Sequence, residues 1–146
     1  MNGRITITLL SERQDGQIGD DWKYELGVKV FNGGLVDEGS IKVPEHTLAS
    51  GTTEVPPGPP EPLVLNAGEV GEKDVLVRVR LDATEVDALV SDHGSSSRDF
   101  SIGCPAAGEP PVSQDVTISA GVMEAPAIAG ESSVLQLALR LVAESA

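Results

Sequence analysis

Apolar side chains recur at every second position through most of this 146-residue chain. A period of two puts alternate side chains on opposite faces of an extended backbone, so each such run predicts a half-buried strand. The cleanest is Trp22 to Val30: Trp22, Tyr24, Leu26, Val28 and Val30 face one way, and Lys23, Glu25, Gly27 and Lys29 the other. Three of the four aromatic residues, Trp22, Tyr24 and Phe31, lie in or beside this run, which predicts a strand central to the core.

Seven further runs follow the same rule. Arg4 to Leu10 alternates Ile5, Ile7 and Leu9 with Thr6 and Thr8; Ile41 and Val43 mark a short strand ended by Pro44; Leu63 to Leu65 is a fourth candidate. Asp74 to Leu81 points Val75, Val77, Val79 and Leu81 inward, with Arg78 and Arg80 outward. Phe100, Ile102 and Cys104, then Val116 to Val122, then Leu135 to Val142 complete the set, the last also rich in helix formers. Asp15-Gly16, Asn32-Gly33-Gly34, Asn66-Ala67-Gly68, Asp92-His93-Gly94 and Ala129-Gly130 supply turn chemistry between the runs.

A doubly wound α/β fold needs helices of ten or more residues between its strands, and these gaps are too short and too rich in Gly and Pro to hold them. The expected fold is therefore all-β, a single antiparallel β-sandwich of about eight strands over residues 1–146. One short helix is expected near residues 83–92: Asp82 and Glu85 have capping-box spacing, Val86, Leu89 and Val90 follow at helical intervals, and Gly94 can close the end. Gly51 to Pro62 reads as an extended, polyproline-like loop.

Charge narrows function more than it narrows fold. With 23 acidic against 10 basic side chains the net charge is -13, which opposes the phosphate neutralisation that nucleic-acid binding requires, so no nucleic-acid partner is expected. The single cysteine, Cys104, excludes an internal disulfide. With no signal-peptide pattern and no apolar run long enough to span a bilayer, the expectation is a soluble, cytoplasmic chain.

Catalytic signatures are lacking. Neither His46 nor His93 sits in a nucleophile–base pattern, and neither a Gly-x-Ser-x-Gly elbow nor a phosphate-binding glycine loop occurs. Acidic residues instead gather in two loops, one containing Asp15, Asp20 and Asp21 and the other running from Glu85 to Asp99 with Asp87 and Asp92. Hard cations such as Ca2+ take six to eight oxygen ligands, which loops at one end of a sandwich can supply from distant sequence positions. Solvated acidic turns account for the same residues without a metal.

Two acidic loops flanking strands in an all-β chain of this length resemble C2-type sandwiches. The resemblance implies Ca2+ bound by aspartates on apical loops, with Asp15, Asp20, Asp21, Asp87 and Asp92 as ligands, and a protein or membrane surface as partner. No polybasic strand is present for anionic lipid, so membrane contact would depend on calcium. Three functional expectations result. The first is a non-enzymatic protein-interaction module; the second is a structural subunit (coat, decoration or tail component) that self-assembles; the third is an enzyme with an unrecognised acidic site.

Overall fold

The computed structural model describes residues 2–71, 74–87, 90–124 and 131–146. Among the described residues nine strands run in chain order: β1 (Asn2–Gly16), β2 (Asp21–Asn32), β3 (Gly34–Thr47), β4 (Thr53–Glu54), β5 (Leu63–Glu69), β6 (Val75–Glu85), β7 (Asp92–Ile102), β8 (Val112–Met123) and β9 (Ser132–Ser145). They form two antiparallel sheets. The first has the order β4-β1-β9-β8, with β5 also pairing β1; the second is β3-β2-β6-β7. The expected antiparallel sandwich is what the chain adopts, and β2 is an interior strand.

Alternation builds the core between the sheets. Ile5 and Ile7 of β1, Leu135 to Leu141 of β9, Trp22 to Val30 of β2 and Val75 to Leu81 of β6 bury alternate side chains in one cluster. Both lateral openings are clasped by side chains. On one side Ser96 Oγ and Arg98 Nη1 of β7 donate to the Ser119 and Thr117 carbonyls of β8, at 2.6 and 2.8 Å. On the other, Asn32 Nδ2 donates to the Ala67 carbonyl at 3.0 Å, and the Asn66 amide donates to Asp37 Oδ2 at 2.8 Å. These bonds occupy outward-facing backbone groups of β8 and β5, which blunts the sheet edges against strand addition.

The helix expected near residues 83–92 does not form among the described residues; Leu89 lies outside them. Leu81, Ala83 and Glu85 continue the inward alternation of β6, and each residue of β6 pairs with β7, up to Glu85 opposite Asp92. Two flanking ladders outweigh a local capping pattern. The Asp92-His93-Gly94 turn is likewise the start of β7, and Asn66-Ala67-Gly68 lies within β5. Ala129-Gly130 lies outside the described residues. Pro44 does not end β3. It sits at a bulge opposite Trp22 and Tyr24 on an edge strand, where a missing N–H costs no ladder bond.

A second bulge reshapes β1. Leu9 pairs with Leu139 but Ser11 with Ala138, so Leu10 is extra and the inward parity flips beyond it. Glu12 and Gln14 therefore face the interior, and both are buried.

Candidate functional site

Strand polarity brings the C-terminal ends of β1, β3, β6 and β8 and the N-terminal ends of β2, β7 and β9 to one end of the sandwich. There the inward-facing row of the second sheet is polar. His46, Trp22, Glu85 and Asp92 stand side by side, paired in register across β3, β2, β6 and β7. Side chains directly opposite each other in an antiparallel ladder are near neighbours, so Glu85 and Asp92 are forced together by register.

Asp87, in the loop after β6, joins them. One carboxylate oxygen each from Glu85, Asp87 and Asp92 lies within 4.8 Å of the others. Glu85 and Asp92 are each only 2% exposed, while Asp87 is exposed. Glu85 Oε2 is buried without a hydrogen-bond partner.

Gly19 closes over the other oxygen: a Cβ at that position would collide with Glu85 Oε1. The β1–β2 loop that carries Gly19 is itself anchored. Trp22 Nε1 donates to the Gly19 carbonyl at 3.0 Å, Ile18 is buried, and the Val86 amide donates to the Asp21 carbonyl at 2.7 Å.

Burial is the main reason the Glu85 carboxyl titrates high, at about 7, with Asp87, Asp92 and Asp21 all pushing the same way. Beside it, Glu124 and Glu131 flank the β8–β9 connection. Their carboxyls interact directly, and this raises the Glu124 pKa. A buried carboxyl group surrounded by carboxylates can do two things chemically: share protons, or hold a hard cation through oxygen donors.

The two acidic loops of the sequence thus fare differently. Asp87 and Asp92 lie together with Glu85. Asp15 is instead held by Arg13, with Nε to Oδ2 at 2.9 Å, and this contact lowers its pKa. Asp20 is exposed at 3.4 Å from Gln14 Nε2, and Asp21 accepts from Thr47 Oγ1 at 3.3 Å while acting on Glu85 through space. Glu85 is the member of this acidic cluster that sequence reasoning left out of its candidate set. Its signal was an acidic residue at an inward-facing position of an otherwise apolar alternation.

A separate polar group lies deeper, between the sheets. Tyr24 Oη donates to Glu12 Oε1 at 2.7 Å, and His46 Nε2 meets Glu12 Oε2 at 2.5 Å. His46 Nδ1 lies 2.8 Å from the Pro44 carbonyl, which can only accept. Glu12, Tyr24 and His46 thus form one hydrogen-bonded group across the sandwich interior. Tyr24 is held protonated by burial, reinforced by its bond to Glu12. The β1 bulge that turns Glu12 inward left this group invisible to strict alternation.

No helix among the described residues is long and apolar enough to cross a membrane. No protein-family model matches the chain, and no curated protein is significantly similar to it in sequence.

Proposed function

We propose that this domain is a non-enzymatic protein-interaction module of C2-like sandwich type. In this reading its acidic end takes up Ca2+ through Glu85, Asp87 and Asp92, and a protein partner docks at that end when the cation is bound. The observation that carries the reading is Glu85 Oε2, buried and unpartnered beside two further carboxylates. A buried carboxylate in such company is costly unless a proton or a cation neutralises it.

The donor set is all oxygen, which suits Ca2+ or Mg2+ rather than a thiolate- or imidazole-preferring metal. Three carboxylates offer up to six oxygens, and the flexible coordination of Ca2+ tolerates the unequal burial of Asp87 and Asp92 better than the strict octahedron of Mg2+. Asp15 and Asp20 lie outside this set, so the reading rests on one loop and not on two.

Thermal melting in EDTA and with added Ca2+ or Mg2+ tests it. A ligand of the native state at about 100 times its Kd adds about 2.7 kcal/mol of stability. For a chain of this length that raises Tm by roughly 5 to 10 °C. The shift should be larger with Ca2+ and should vanish in Glu85→Gln. An unchanged melt at about millimolar Ca2+ removes the cation from the reading.

A further inference from the structure

The proline-rich stretch takes no part in the acidic cluster. It joins β4 to β5, and both of these strands pair with β1 on the side away from β9, Glu54 opposite Glu12 and Leu63 opposite Ile7. Between the two ladders residues 8–11 of β1 have no partner strand on that side, and there the connection leaves the sheet.

Chain physics fixes most of its backbone. Pro56, Pro57, Pro59, Pro60 and Pro62 each hold φ at about -65°. A residue that precedes a proline is confined to extended or polyproline conformations, which adds Val55 and Glu61. Gly58 is the break: its φ of 54° is left-handed and divides the stretch in two. Residues 59–62 beyond it run without a turn, as a little more than one turn of polyproline helix. Such a helix repeats every three residues, so Pro59 and Pro62 lie on one edge. Both are exposed, while Pro60, on another edge, is half-buried.

Covering the open side of β1 accounts for part of this stretch. An unpaired strand edge invites strand addition, and proline cannot extend the ladder. The buried Pro56 serves that purpose. It does not explain the apolar groups that face water: Val55 is 61% exposed, and Pro57, Pro59 and Pro62 are exposed with it. Nor are the backbone acceptors used, since among the described residues nothing donates to the carbonyls of residues 56–61.

A row of apolar rings with free carbonyls between them, set in shape before any contact, is what an aromatic-lined groove recognises. Rings pack between the aromatic side chains of such a groove, and the bound chain loses little conformational freedom. The charged side chains along the stretch, Glu54 and Glu61, are both acidic and exposed, so the complementary rim is basic. We infer that residues 59–62, with Val55 and Pro57 beside them, are a docking segment for a partner protein that has an aromatic-lined, basic-rimmed groove for polyproline helices. This contact is separate from the cation site.

Titration of the isotope-labelled full chain in EDTA with SH3, WW and EVH1 domains tests the inference apart from any cation. At up to about 1 mM, at least one domain should shift the amides of Val55, Gly58, Glu61 and Leu63. The tightest should be the one with the most basic groove, and its affinity should fall as NaCl rises from about 0.05 to 0.5 M. Pro59→Ala combined with Pro62→Ala removes both exposed rings and loosens the backbone, and should weaken binding about tenfold or more. Neither ring is buried, so Tm should stay within a few degrees. If that double variant melts early, Glu61→Lys decides the matter: it keeps every proline, reverses the charge and should weaken binding severalfold. No shift with any of the three domains, shifts that fall outside residues 53–63, an affinity that salt strengthens, or unchanged affinity in both variants overturns the inference. The calcium melt is independent of each of these results.

Discussion

Glu85 and Asp92 face each other across the β6–β7 ladder with both side chains on the inward face, each 2% exposed. Two acids in directly opposed positions repel, and burial strengthens the repulsion by excluding water. The pair therefore works against the fold when ionised and for it when a cation sits between them. Replacing Glu85 with Gln keeps the shape and removes one charge. The metal-free protein should then be more stable at pH 8 by about 1 kcal/mol or more. A Glu85→Gln protein that melts below the parent in EDTA would contradict the repulsion, since amide and carboxylate differ little in volume.

The same pair sets the pH dependence. Glu85 titrates at about 7 when folded, against an ordinary carboxyl value near 4.5. A raised pKa means that the folded state holds the proton more tightly than the unfolded chain does. The stabilisation is complete below about pH 4.5 and is lost as pH rises through 7. In EDTA, Tm should fall between pH 5 and pH 8 through this group, and Ca2+ should restore more of it at pH 8 than at pH 5.5, where the proton competes. A calcium shift that grows toward low pH would place the cation elsewhere.

The sequence announces the sandwich wherever side chains meet the core, and it is silent where they meet something else. β6, β8 and β9 alternate because one face is apolar. The first half of β7 does not, because Gly94, Ser96 and Arg98 lie against the edge of β8: a Cβ on Gly94 would collide with the Gly121 carbonyl, and Ser96 and Arg98 bond to β8. Two of the three acids of the cluster are legible for a related reason. Asp87 and Asp92 can be read from a stretch rich in acids, whereas Glu85 joins them through the β6–β7 register, which sets it opposite Asp92 and which no local pattern encodes. Asp15 and Asp20 were drawn in by proximity in sequence alone, and their Arg and Gln partners come from β1.

Gly19 offers a structural test of how the β1–β2 loop depends on the acidic cluster. Because a Cβ there would meet Glu85 Oε1, Gly19→Ala must displace either the loop or the carboxylate. A loss of roughly 1 to 3 kcal/mol is expected, as for other overpacking changes at closed sites. Calcium response should weaken with it. Combining Gly19→Ala with Glu85→Ala removes the obstructing carboxylate, so the second change should cost less in the Gly19→Ala background than alone; strict additivity in that cycle would show that the two residues do not touch.

The Glu12–His46 pair is the other place where the interior holds titratable side chains. Glu12 is fully buried and His46 nearly so, and the pair links β1 of one sheet to β3 of the other, with Tyr24 of β2 donating to the same carboxylate. Removing one member of a buried hydrogen-bonded group strands its partners, which costs about 1 to 3 kcal/mol, whereas replacing all of them with apolar groups of similar shape is far less costly. Glu12→Gln and His46→Leu should each lower stability by that amount in urea unfolding at pH 7. The triple change Glu12→Met, His46→Leu, Tyr24→Phe should lose much less than the sum of the single changes. A triple variant that loses as much as the sum of the single changes would show that the three side chains act independently.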